Sequence, residues 1–549
     1  MAGRYHSEEF TAPERSLLSR FFTNLDSPVF AIVNLPEVVK GALFARYSRS
    51  AKSLRRLFLD EFVSRPESGV AAIAEHMETN DAGVNVRRAS ELYDRMFMEY
   101  GDDSVAQLGG AHVACEQASN VLTKILERGR LAAYLEQSTR YIYFDKPLGN
   151  GYRYMVPSEI SGTPAGQKYR AVLDALFDTY RDLIPRLSHL YEEQYPRDPK
   201  DSETVWKASI RARVCDDLRG LLPASTLSNV GIFATAQAYE TLLLRMRAHR
   251  LVEVRDYGDL LLTELRKVIP AFLKRVDLPD RGVQWSEYFA KIDRQMESLA
   301  ATLDVSLPSR PEVALVEWDP DAELKLAAAA LYTCSDLPDD HLLALVREMS
   351  GEDRRKILSA YVGERRNRRH KPGRAFERTF YRFDILASYS VFRDLQRHRL
   401  LTVEWQKLST VHGYDTPEAI ETVGARGLWD EALLRAADLY ESLRNDFGQE
   451  VAQYAVPFAY RIRFNFHLNA REAFHLLELR TQRGGDPAYR RICQEMHRLI
   501  RDQAGHRFIA DAMTFVDHED YGLGRLDAER RNAERRAAAL LVRGQEVRP

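Results

Sequence analysis

Apolar residues recur every three to four positions along much of the chain, the period of a helix with one buried face. The stretch "LWDEALLRAADLYESLRNDF" (428–447) shows it plainly. "DPDAELKLAAAALYTCSD" (319–336) opens on Asp-Pro and an acidic first turn, then runs through strong helix formers. Strand-like runs are fewer. The best are Ala31–Asn34 in "VFAIVN", Val313–Val316 in "VALV", and "TFYRFDILASYSVF" (379–392), the last readable also as a strand followed by a helix. The pattern predicts an α+β fold with more helix than strand.

The pattern also repeats. "VFAIVNLPEVVKGALFARYSRS" (29–50) parallels "VALVEWDPDAELKLAAAALYTCSD" (313–336): apolar strand, proline-bearing turn, helix. Two cationic phrases follow, "TKILERGRLAAYLEQSTRY" (123–141) and "RDLQRHRLLTVEWQKLST" (393–410). Next come "RGLLPASTLSNVGIFATAQAYETLLLRMR" (219–247) and "QYAVPFAYRIRFNFHLNAREAFHLLELRT" (453–481). Pro223 to Arg245 spans nearly the length of Pro457 to Arg480. One order in both halves predicts a tandem duplication. The expected domains are 1–300 and 301–526, joined near the polar, proline-containing "ATLDVSLPSRPE" (301–312), with an Arg-rich helix over 527–549 as a solvated or packing tail.

Composition adds limits. The 549 residues are 45% hydrophobic and 29% charged, enough for two ordinary domains with ample cores. A net charge of −2 gives no whole-molecule case for nucleic acid or membrane, so neither partner is expected. Four dispersed cysteines without a CxxC pair predict reduced, buried thiols rather than disulfides or zinc. No apolar run approaches membrane-spanning length and the N-terminus lacks a signal-peptide core, so a cytoplasmic location is expected.

Candidate chemistry gathers in the second half. Arg397, His398 and Arg399 stand side by side after the apolar "ILASYSVF", which places them at the end of a buried element. Adjacent cations repel unless an anion or carboxylates absorb the charge, and the Arg fork suits phosphate. In "LNAREAFHLLELR", Asn469 and Arg471 open a helix, and Arg471 and His475 share a face four residues apart. Either segment alone reads more readily as a basic surface patch.

Together they resemble the flavin-dependent thymidylate synthases, whose signature is RHR, seven residues, then Ser-x-Arg. The likeness covers roughly 28–270 and 312–505. Arg128-Gly129-Arg130 leads, at the family spacing, to Ser138-Thr139-Arg140, with the histidine lost to Gly129. Arg397-His398-Arg399 is intact, but Lys407 and Ser409 replace the family Ser and Arg. The flavin helix survives as Asn469, Arg471 and His475 only in the second half, and His370 and Glu377 fit the upstream His/Glu segment where the first half reads "YGDDSVAQLGG" (100–110). Arg219 matches a basic residue four before the proline, where the second half has Gln453.

The resemblance implies two tandem homologous domains, each a small, mainly antiparallel sheet packed with several helices. It implies FAD as cofactor, NADPH and methylenetetrahydrofolate as co-substrates, and reductive methylation of C5 of dUMP without a cysteine nucleophile. Carried over by residue, Arg397, His398 and Arg480 would be catalytic. His370, Glu377, Arg397, His398, Arg399, Asn469, Arg471 and His475 would hold FAD. Glu136, Ser138, Thr139, Arg140, Arg219, Arg245 and Arg480 would hold the nucleotide, with Arg245 and Arg480 competing for the base. No metal is expected. The complementary losses imply one composite site drawn from both repeats, and a homodimer that mimics the family tetramer. Asp394 for a family Gln and Leu135 for a loop Asn leave open another pyrimidine nucleotide, or a degenerate scaffold that binds nucleotide or flavin without turnover.

Overall fold

The computed structural model describes residues 5–64, 107–303, 309–528 and 530–531. Most of 100–110, the centre of the join at 301–312 and nearly all of the Arg-rich tail lie outside the described residues.

The chain forms two compact units. One comprises Met1–Asp182, Leu221–Ser306 and Gly427–Pro457; the other comprises Leu183–Gly220, Leu307–Arg426 and Phe458–Pro549. Each unit therefore contains a segment from the opposite half, and the two borrowed segments occupy matching places, just before Pro223 and just before or at Pro457.

Each unit holds one four-stranded antiparallel sheet. The first contains β1 (Val29–Ile32), β2 (Gly110–Ser119), β3 (Ala132–Glu136) and β4 (Leu227–Thr235), in the order β1-β2-β4-β3. The second contains β5 (Val313–Trp318), β6 (Phe380–Ser388), β7 (Thr402–Trp405) and β8 (Arg461–Asn469), in the order β5-β6-β8-β7. Position for position the orders are the same, so the duplication is one of fold. With helices around both sheets, the α+β expectation stands.

The first strand begins earlier than its apolar run suggested and stops at Ile32, because Asn34 turns into the left-handed region (φ 57°) before Pro36. The 379–392 run divides as its second reading held: β6, then a helix over Tyr389–Leu395. At Gly231 a Cβ would meet the Phe44 ring at 2.6 Å, so glycine lets the helix Glu37–Tyr47 press on β4. Phe21, Phe22, Phe30, Leu43, Phe44 and Phe58 fill the core there.

Cys115, Cys215 and Cys493 are buried thiols, but Cys334 is exposed, since it follows the end of the helix Ala322–Tyr332 where the chain returns to the surface. Among the described residues no helix is long and apolar enough to cross a membrane.

Candidate functional site

In the second unit β6 and β8 pair along their full lengths, from Phe380 opposite Asn469 to Ser388 opposite Arg461. At one end Asn469 stops the strand and caps the helix Ala470–Arg480, its Oδ1 accepting from the Glu472 amide at 2.8 Å. At the other end β6 runs into the buried helix Tyr389–Leu395, which delivers Arg397, His398 and Arg399. His398 is buried, Arg397 half-buried and Arg399 exposed.

Arg480 Nε donates to His398 Nε2 at 2.9 Å. That leaves Nδ1 to carry the ring proton and donate to Glu472 Oε1, 3.3 Å away. Arg480 Nη2 donates to the Asp394 carbonyl, and its guanidinium lies 5.4 Å from the Tyr489 ring centroid. The sequence Asn-x-x-Glu at 469–472 reads as a capping box. Here only half of it forms: the Glu472 carboxylate turns to His398.

Burial pushes the Glu472 carboxyl up to about 7, against the pull of Lys371 and Arg471. His398 is held well below the ordinary histidine range by burial, then by Arg480, His475, Arg397 and Lys371. His475, whose ring stands 5.4 Å from that of His398, is lowered to about 4 by burial and by Lys371, Arg368, Arg480 and Arg471. Both imidazoles are therefore neutral at pH 7, among fixed cations.

His398, Glu472 and His475 bring ligand atoms within 4.8 Å of one another. Arg480 already occupies His398 Nε2, and the surrounding guanidiniums and Lys371 repel a divalent cation. The same surroundings favour an anion.

Arg471 donates from Nε to the Pro372 carbonyl at 3.0 Å and from Nη1 to Glu377 at 3.3 Å, so it ties the 365–377 loop to the helix. His370 lies on that loop and is exposed, its Nδ1 accepting from the Arg366 amide at 3.3 Å. The loop is anchored by buried Arg365, bidentate on Glu478 at 2.6 and 2.7 Å.

Arg219 belongs to the first-repeat segment Leu183–Gly220 of this unit. Its Nη1 donates to Asp394 Oδ2 at 3.0 Å and its Nη2 to Asp486 Oδ2. Asp394 Oδ1 accepts from Arg397 Nη2 at 2.9 Å. Asp486 also caps the helix Pro487–Asp502, accepting from the Ala488 amide at 2.7 Å. A buried chain of alternating charges thus runs from Asp486 through Arg219 and Asp394 to Arg397.

The other nucleotide-loop residues belong to the first unit. Glu136 is buried against Lys124, 3.1 Å away, which also holds Glu127 at 2.6 Å. Ser138 Oγ accepts from the Arg140 amide at 3.2 Å, and Thr139 is buried. Thr235 caps its helix as Asn469 does, with Oγ1 accepting from the Ala238 amide. Eleven residues after the cap stand Arg480 in one helix and buried Met246 in the other. Arg245 is one position out of register and exposed.

Sequence reasoning missed Glu472, Lys371, Arg368 and Asp486. Lys371 and Arg368 flank His370 in a run of cations that carried no motif. Asp486-Pro487 signalled a helix start but nothing of Arg219.

The sequence profile of the family described as Thy1, thymidylate synthase complementing protein, matches residues 55–271 and again 314–504. The chain belongs to that family and carries its domain twice. The UPF0159 protein of Chlamydia pneumoniae is 41% identical over 530 residues, 95% of this chain and 98% of its own. A UPF0159 protein of Thermoplasma acidophilum is 30% identical over 517 residues, 89% of this chain and 97% of its own. A flavin-dependent thymidylate synthase of Clostridium tetani is 24% identical over 226 residues, 39% of this chain and 83% of its own.

Proposed function

We propose that the protein transfers a one-carbon unit reductively to C5 of dUMP, with FAD as cofactor and methylenetetrahydrofolate and NADPH as co-substrates. The active site on this reading draws on both repeats. The observation that carries it is Arg219: a first-repeat residue packed in the second unit, one carboxylate away from Arg397.

The second unit suits a bound flavin dinucleotide. Around His475 the cations Lys371, Arg368, Arg471 and Arg480 outweigh the acids Glu472 and Glu377, and His475 Nδ1 is buried with no protein hydrogen-bond partner. An anionic ligand with acceptors answers both features. The flavin would supply the carbon and hydride chemistry.

This chain's residues place and polarise. Arg480, fixed by His398 and the Asp394 carbonyl, keeps Nη1 for a carbonyl of the uracil ring, where a guanidinium stabilises developing negative charge. His398 stays neutral, so it orients Arg480 without competing for the anion. Asn469 spends its Oδ1 on the helix and keeps its amide nitrogen for the ligand. Ser138, Arg140 and Thr139 would hold the nucleotide's phosphate and sugar, completing the site from the first repeat.

The test is tritium release from C5-labelled dUMP with FAD, NADPH and methylenetetrahydrofolate. Release should fall with Arg397→Ala and with Ser138→Ala, and fall little with Arg128→Ala. Protein that takes up flavin yet leaves the label in place would refute dUMP as substrate. Equal loss from Arg128→Ala and Arg397→Ala would refute the division of labour between repeats.

A further inference from the structure

The helix Gln284–Ala300 carries its apolar face outward. Trp285, Phe289, Ile292, Met296, Leu299 and Leu303 follow one another at spacings of four, three, four, three and four, the last in the turn that closes the helix. That alternation is the a/d seam of a coiled coil.

The other side of the helix packs on the first unit. Ser286 Oγ donates to the Leu244 carbonyl at 3.1 Å, and Glu297 pairs with Arg250. Trp285, at the start of the seam, lies under Arg275 at 5.4 Å. Beyond it Ile292, Met296, Leu299, Leu303 and their neighbour Tyr288 are between 37% and 67% exposed. A soluble domain ordinarily turns such a face inward, and a contiguous apolar stripe in water marks an interaction surface. The segment also falls between the two family-matched stretches, which end at 271 and resume at 314, so the shared domain does not account for it.

We propose that this seam packs against the same helix of a second copy of the chain. A heptad seam is satisfied by a helix with the same period, and a two-fold axis supplies one of identical length and spacing. The area agrees: the five side chains expose roughly 600 Å² per copy, and a symmetric pair would bury about 1,200 Å², the lower end of stable interfaces. The stripe carries no charge to be buried by the pairing; Lys291, Asp293 and Arg294 lie on its flanks or behind it.

Cysteine cross-linking tests the arrangement on the full chain. In a Cys334→Ser background, which removes the exposed thiol, Ile292→Cys, Met296→Cys and Leu299→Cys are oxidised singly and in pairwise mixtures. Arg294→Cys, exposed on the opposite side, is the control. Covalent pairs at twice the monomer mass should form several-fold faster at the seam than at Arg294→Cys. Parallel helices would favour like-with-like products, antiparallel helices the mixtures. Separately, Ile292→Asp with Leu299→Asp should weaken self-association at least tenfold in sedimentation, with unchanged circular dichroism. Seam cysteines that link no faster than the control, or association unmoved by the two aspartates, would overturn the proposal.

Discussion

Arg480 and His398 meet with Nε 2.9 Å from Nε2, and that bond fixes the imidazole's tautomer. A guanidinium always donates, so the ring nitrogen facing it must accept. The proton is driven to the far side, toward Glu472. Substituting Arg480→Lys keeps the charge but offers one ammonium where two nitrogens now serve His398 and the Asp394 carbonyl. Turnover of dUMP should drop about 100-fold, with the melting temperature close to wild type. Near-normal single-turnover rates in the lysine variant would show that charge alone suffices.

The acid and the second imidazole should leave opposite marks on stability. Glu472 has a folded pKa near 7, above its ordinary 4.5, so its contribution is complete below about pH 4.5 and lost as pH rises through 7. His475 is depressed to about 4 from 6.5, so its contribution is complete above 6.5 and lost as pH falls through 4. Between 4.5 and 6.5 the two slopes oppose. Glu472→Gln should unmask a melting temperature that climbs with pH there, and His475→Asn one that falls. Removing the Glu472 penalty is worth about 3 kcal/mol at most above pH 7. Melting curves that run parallel to wild type for both variants would contradict these environments.

The charge chain through Arg219 predicts coupling between distant parts of the sequence. Asp394→Asn weakens the anchor of two guanidiniums at once and should cost about 3 kcal/mol, as breaking buried pairs does. Arg219→Met should cost less in the Asp394→Asn background than in wild type, by about 1 kcal/mol or more. Chemical denaturation of the four proteins checks it, and strict additivity would mean the two do not interact.

Gly129 stands where the family histidine is missing, and Tyr134 fills the space. A Cβ at 129 would come within 2.5 Å of the Tyr134 hydroxyl, which itself donates to the Gly129 carbonyl at 3.1 Å. Gly129→Ala should therefore destabilise by about 1–2 kcal/mol, and Tyr134→Phe should relieve much of that cost. An equal cost in both backgrounds would place the obstruction elsewhere.

The sequence revealed more of the architecture than of the site. The duplication was legible because the order of apolar and cationic phrases survives in both halves, and β6 with its following helix was visible as one long apolar run. Edge strands such as β7 were not, since four residues alternate too briefly to stand out. The phrases that carry Arg397, His398, Asn469, Arg471 and Arg480 were legible through motif spacing, and the structure joins His398 to Arg480. Glu472 was hidden because its position already had an ordinary explanation as a cap. Asp486 and Arg219 pair across 267 residues, and no local pattern encodes a contact of that range. Arg245 stands one position out of register with Arg480 for a simpler reason: comparing spans from Pro223 and Pro457 ignores the cap, and the cap sets which way each helical residue points.

The borrowed segments, 183–220 in one unit and 427–457 in the other, bear on how such a gene can change. Cutting it at the join would release two products, each lacking a piece of its own interior and carrying one made for its sibling. Deleting either copy would take away a segment that the other copy's unit contains. Fusion has thus become a ratchet: the twins are inherited, and must be lost, together.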